Sequence, residues 1–168
     1  YPGKKIFYIF SIDSFPEEHD RIRKVPGLFK KVIESYQVVK DLRPYAVPSI
    51  NLTVSEQNYQ VVNELYDVLR DDSGVDSMSP VIVRDEGVYR IPYEPQRAIL
   101  AAYKELTEKL LSDVRSGKIG GFDTGTVRGR MVNAKNQIQY RMIGDIYLKP
   151  EFQSYCPAGS IFGVIGTD

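Results

Sequence analysis

Small polar residues recur in this 168-residue chain at the two-residue spacing of a β-strand face, in three places. Ser11 and Asp13 close an apolar run from Ile6 to Phe10. Ser49, Asn51 and Thr53 alternate with Ile50, Leu52 and Val54. Ser77 and Ser79 precede Pro80. Hydroxyls, an amide and a carboxylate on one face can both donate to and accept from a polar ligand. A closed eight-stranded barrel fills its interior mainly with branched apolar side chains. Polar positions on three successive strands therefore point to an open barrel around a polar ligand. The same residues also serve as plain caps of strand ends facing water, and spacing leaves both readings open.

Other residues with chemical potential carry less. His19–Asp20 has the composition of an acid–base pair, but a histidine in a charged loop more often braces that loop by hydrogen bonding. Cys156 and His19 form no recognisable nucleophilic dyad, because no oxyanion-hole signature surrounds the cysteine. The glycine-rich GKIGGFDTGT at 117–126 lacks the lysine-serine/threonine ending of a phosphate loop and reads as a hinge. Arg128, Arg130, Lys135 and Arg141 read as a solvated helix face, without the basic-aromatic interleaving of a nucleic-acid surface. One cysteine and one histidine exclude an internal disulfide and a cysteine cluster built by this chain alone. A metal would need carboxylates or ligands from elsewhere. Twenty-two basic and 22 acidic residues cancel, so no overall field recruits nucleic acid or an anionic membrane. With no signal-peptide pattern and no apolar run near 18 residues, the expectation is a soluble, cytoplasmic protein.

These polar positions need strands to hold them. The apolar run predicts a first strand over 5–12, buried on both faces, followed by a charged loop to Pro26–Gly27. A helix to about residue 41 follows from the stripe that includes Phe29, Val32, Tyr36 and Val39. Arg43–Pro44 stops it. A second strand covers 46–54, and Ser55 is the expected N-cap of a helix reaching Arg70. A third strand over 75–83 is expected to fray at Pro80. Strand, helix, strand, helix, strand with short joints predicts parallel βαβ units with right-handed crossovers. A turn-rich excursion at 85–93 precedes a helix from Pro95 to about Arg115. A glycine-rich break at 117–121 and an amphipathic helix over 123–148 come next. A short β segment at 161–165 ends the tail.

The ordered motifs resemble those of radical S-adenosylmethionine enzymes. SIDS at 11–14 and HDRIRKVPGLFKKVI at 19–33 resemble that family's fourth barrel strand and helix, usually SIDG and then HDxxRGVPGSFxxVI. NLTVSEQNY at 51–59 looks like the fifth strand and its helix, and GVDSMSPVIVRDEG at 74–87 like the sixth strand and its loop. YCPAGSIFGVIGTD at 155–168 resembles the entry to a SPASM-type auxiliary-cluster extension. The likeness runs through nearly the whole chain and is strongest at 6–84. Two departures concern glycine: Ser14 stands where SIDG ends, and Lys24 stands where a glycine usually precedes Val25. The cluster-binding CxxxCxxC loop and the GGEP-like motif are absent.

The resemblance implies an α/β fold, a partial (β/α) barrel of the TIM type with about three parallel strands. Residues 1–93 would be barrel, 94–150 a helical segment and 151–168 the start of the extension. The parent would be an iron–sulfur oxidoreductase-like enzyme that cleaves S-adenosylmethionine to a 5′-deoxyadenosyl radical, in peptide or cofactor maturation. The resemblance places Ser11 and Asp13 near the cofactor's ribose or methionine part, and Arg23 at its carboxylate. It places Asn51 at the methionine or ribose and Ser79 near the adenine. Cys156 would be the first ligand of an auxiliary cluster whose other ligands lie beyond Asp168. Without the 4Fe–4S ligands the fragment would be inactive, bind no cofactor by itself and dimerise through its exposed edges. The alternative from a different class is a non-catalytic half-barrel acting as a binding or regulatory module. A small hydrolase or nucleotide binder is weaker, since neither a nucleophile elbow nor a phosphate loop is present.

Overall fold

A computed structural model of the chain describes residues 6–42, 45–82, 93–120 and 126–148. Cys156, the extension at 151–168 and the turn-rich excursion at 85–93, except Tyr93, lie outside the described residues. Three parallel strands, β1 (Ile6–Ile12), β2 (Ala46–Val54) and β3 (Met78–Ile82), form one open sheet in chain order. Among the described residues five helices accompany them: α1 (Pro16–Arg23), α2 (Leu28–Asp41), α3 (Val62–Asp71), α4 (Tyr93–Ser116) and α5 (Val127–Leu148). The class is mixed α/β.

β2 is the central strand and alternates strictly. Ala46, Pro48, Ile50, Leu52 and Val54 are buried, and the residues between them are half-buried. One continuous core joins that buried face to Phe29 and Tyr36 of α2, Leu65 and Leu69 of α3, and Tyr103 and Leu106 of α4. Burying side chains of this size stabilises by about 1.5–3 kcal/mol each. Polar ties fix the helices on the sheet. The Tyr36 hydroxyl donates to Asp76 at 2.7 Å and accepts from the backbone N–H groups of Asp76 and Ser77. Between α3 and α4, the buried carboxylate of Asp113 accepts from the Tyr66 hydroxyl at 2.9 Å and pairs with Arg70.

Several expectations change. β3 starts at Met78 rather than at 75, and it keeps its register through Pro80, which pairs with Leu52, instead of fraying there. β1 is the sheet's edge among the described residues, and Ile6, Phe7, Tyr8 and Ile9 are 41–63% exposed rather than buried on both faces. The charged loop contains a helix, α1, with Pro16 at its start, Glu17 and Glu18 in its first turn, and Arg21 and Arg23 in its last. Each charge complements the nearer end of the helix dipole. α3 begins at Val62 rather than near Ser55, because the Ser55 N–H donates to the Asn58 side-chain oxygen and the Gln57 N–H to the Ser55 hydroxyl in a local turn. α5 begins at Val127, where the Thr126 hydroxyl accepts from the Gly129 N–H at 3.0 Å. Among the described residues, no helix is long and apolar enough to cross a membrane.

Candidate functional site

The register of the parallel ladder brings three of the expected site residues together. Ser11 pairs with Asn51, and Asn51 pairs with Ser79, so the three lie side by side across the sheet. Neighbouring strands stand about 4.8 Å apart, which makes this row roughly 10 Å long. It lies on the face opposite Ile50 and Leu52, both fully buried. Ser11 is exposed, and Asn51 and Ser79 are half-buried. The side chains of Ser11 and Asn51 make no hydrogen bond among the described residues. Ser79 is a hydrogen-bond partner of the Tyr140 hydroxyl, which reaches the row from α5. Burial pushes the Tyr140 phenol up from its ordinary range and the Ser79 bond opposes that shift, so the phenol stays protonated at neutral pH.

Asp13, one step past the end of β1, is held from every side. Its N–H donates to His19 Nδ1 at 3.2 Å. Its C=O accepts from the Asn58 amide, which also donates to the Thr53 C=O. Its carboxylate takes a two-pronged bond from Arg23, one prong being Nη2 to Oδ1 at 2.9 Å. The pair is unequal in exposure: the Asp13 side chain is 8% exposed and that of Arg23 is 42%. The Asp13 contact raises the Arg23 guanidinium further above its already high value. Two residues expected to contact one ligand are thus each other's partner.

His19 sits on α1, fully buried, with its ring edge-on to Phe29 at 5.9 Å. Burial holds its imidazole below the usual range. The nearby Asp13 carboxylate opposes this, Arg23 adds to it, and Asp20 opposes it. Because Nδ1 accepts the Asp13 N–H, the proton of the neutral ring is on Nε2, which has no hydrogen-bond partner among the described residues. His19 therefore braces the loop, the role its charged surroundings suggested.

Sequence reasoning missed Asn58 and Tyr140. Asn58 is 1% exposed and ties the segment after β1 to the end of β2, and so sets the spacing of the two strand ends. Its signal was available in Ser55-x-x-Asn58, a turn-forming pattern read instead as a helix start. Tyr140 has no local signal, because its partner is 61 residues away in sequence. Among the described residues no group of three or more His, Cys, Asp or Glu side chains is placed to hold a metal ion. The surface offers a polar, uncharged row for a ligand's hydroxyl, amino or carboxylate groups, next to a neutralised ion pair. Comparison of the chain with protein-family models, curated proteins and solved structures finds no match.

Proposed function

We propose that this chain is the carboxyl-terminal half of the barrel of a radical S-adenosylmethionine enzyme, with the row Ser11–Asn51–Ser79 facing the cofactor. The alignment of these three residues at one level on the sheet face opposite Ile50 and Leu52 carries the reading. Ligands of α/β sheets and barrels gather toward the carboxyl ends of the strands, and Ser11 and Asn51 lie toward the ends of β1 and β2. The motif series at 11–33, 51–59 and 74–87 supplies the family.

The residues fit the organic part of the cofactor. Asn51, whose side chain has no hydrogen-bond partner among the described residues, offers a donor and an acceptor to the methionine or ribose part. Ser11 offers a hydroxyl beside it, and Ser79 with Tyr140 closes the far end of the row. Arg23 keeps its outer face toward water while gripping Asp13, and a ligand carboxylate would have to share that guanidinium. The residues do not fit the 4Fe–4S cluster. The one histidine is buried and engaged, and the one cysteine, Cys156, lies outside the described residues. In this reading the cluster ligands, and the partners of Cys156 in an extension, belong to further chain. When bound with its cluster, S-adenosylmethionine supplies a 5′-deoxyadenosyl radical for hydrogen abstraction, and the barrel's part is to position and shield it.

A non-catalytic half-barrel is the second reading. The mutual satisfaction of Asp13 and Arg23 favours it, because a structural ion pair needs no ligand. The test uses the longer chain that the first reading requires, reconstituted anaerobically with iron and sulfide and supplied with S-adenosylmethionine and a strong reductant. Cluster-dependent 5′-deoxyadenosine, with cofactor affinity reduced about tenfold in Asn51→Ala, is the expected result; tenfold corresponds to about 1.4 kcal/mol, the scale of one hydrogen bond. A protein that binds no iron and makes no 5′-deoxyadenosine would leave the binding module.

A further inference from the structure

α5 carries two apolar lines where a surface helix normally has one. The inner line includes buried Gly129 and the core-packed Tyr140 and Ile143. The outer line is Val127, Met131, Ala134, Ile138 and Met142, all exposed; Val127, Met131 and Ile138 are 60–68% exposed. The steps along it are 4, 3, 4 and 4 residues, which keeps one narrow seam on one side of a helix. Single exposed apolar residues are ordinary on a protein surface, but a continuous seam marks an interaction site.

The seam is bordered by positive charge. Arg128 and Lys135 lie on one side and Arg141 on the other, all exposed. From residue 126 to residue 144 there are four basic residues and no acidic one; the first acidic residue of the helix is Asp145. The chain as a whole is neutral, so this helix is a local exception.

We propose that the outer face of α5 docks an acidic amphipathic helix of a partner protein. The partner's apolar seam would pack against Met131, Ala134 and Ile138, and its flanking carboxylates would meet Arg128, Lys135 and Arg141. Three features select this occupant. The spacing is that of a helix–helix seam, in which flanking charges choose the partner. The seam is one residue wide and bears no Trp, Phe or Leu, whereas helices that lie in a membrane surface present a broad face rich in them. A second copy of α5 would set basic flank against basic flank, which opposes self-pairing. Two methionines give the seam the adaptability common on helix-binding surfaces. The inference is independent of the cofactor reading.

The test uses the full 168-residue chain and two synthetic four-heptad helices with Ile and Leu at their core positions. One carries Glu at every flanking position and the other Lys, and binding is read by fluorescence anisotropy. The acidic helix is expected to bind with a Kd on the order of 10 μM in low salt, at least tenfold more tightly than the basic one. It should weaken about tenfold in 0.5 M salt, where screening shortens to a few ångströms. Ile138→Glu should abolish binding and Ile138→Leu retain it. Lys135→Glu should weaken the acidic helix and improve the basic one. Circular dichroism and urea midpoints establish that these exposed substitutions leave the fold intact. Equal affinity for both helices, no binding, or binding indifferent to Ile138→Glu would overturn the proposal. So would Ile138-dependent capture by phosphatidylserine vesicles without acidic-helix binding, or Ile138-dependent self-association, which would give the face to a membrane or to a second copy.

Discussion

His19 makes the chain's pH response readable, because it is the only imidazole present. Burial keeps the folded-state ring neutral below the pH at which an unfolded histidine, with a pKa of about 6.5, takes up its proton. The unfolded state therefore binds more protons as pH falls through that value, and the contribution of His19, fully present above it, is lost on acidification. Asp13 and Asp20 oppose the depression and Arg23 reinforces it, so the ring answers to all three charged neighbours. Urea midpoints should fall between pH 7.5 and 5.5 for the native chain and stay nearly level for His19→Gln, whose amide oxygen can still accept the Asp13 N–H. An equal fall in both proteins would show that His19 is not the source. At this scale the alternation of β-strands made Ser11, Asn51 and Ser79 legible as one face. Their shared level was not legible, since register depends on how two crossovers close. The Asp13–Arg23 pair was hidden too, because it forms only when α1 turns Arg23 back toward the end of β1.

Among the elements, the joint between α1 and α2 carries the backbone cost. Lys24 caps α1 with φ 57° and ψ 32°, the only non-glycine residue at positive φ among the described residues. Gly27 follows at φ 73° and leads into α2, whose first turn is held by Asp20 accepting from the Gly27 and Phe29 N–H groups. Of the two positions where the resemblance expects glycine, Lys24 is thus the strained one; Ser14 does not share its conformation. Lys24→Gly removes a left-handed penalty of about 1–2 kcal/mol and adds back part of it as unfolded-state entropy, for a net gain of about 0.5–1 kcal/mol. The urea midpoint should rise with an unchanged slope; a midpoint that drops would mean that the Lys24 side chain holds the joint. The sequence foretold α2 and β2 to the residue or nearly so, because each has an uninterrupted apolar period. It missed α1, since eight mostly charged residues have no stripe to read, and placed the start of α3 too early, at Ser55 rather than Val62, because Asn58 claims the backbone that a helix would have used.

For the whole molecule, the open sheet is the main fact. Three parallel strands leave β1 with one ladder edge unpaired among the described residues, beneath four exposed apolar side chains. Such an edge invites another strand. The isolated chain should therefore self-associate through β1, and Ile9→Lys, a charge in the middle of that edge, should return it to a monomer by light scattering. A wild-type chain that is monomeric at high concentration would count against association there. Whether further strands complete a barrel was not legible in the sequence, because periodicity describes each strand and is silent on closure. The sheet's order also has a consequence for synthesis. Each strand pairs with the one made just before it, so the sheet can lengthen in step with translation, at about 5–20 residues per second, without waiting for a distant partner. β2 would find β1 already outside the ribosome, and β3 would find β2. Of these three strands β1 is made before the other two and so waits longest for a neighbour, which makes its edge the one a growing chain must keep from pairing elsewhere.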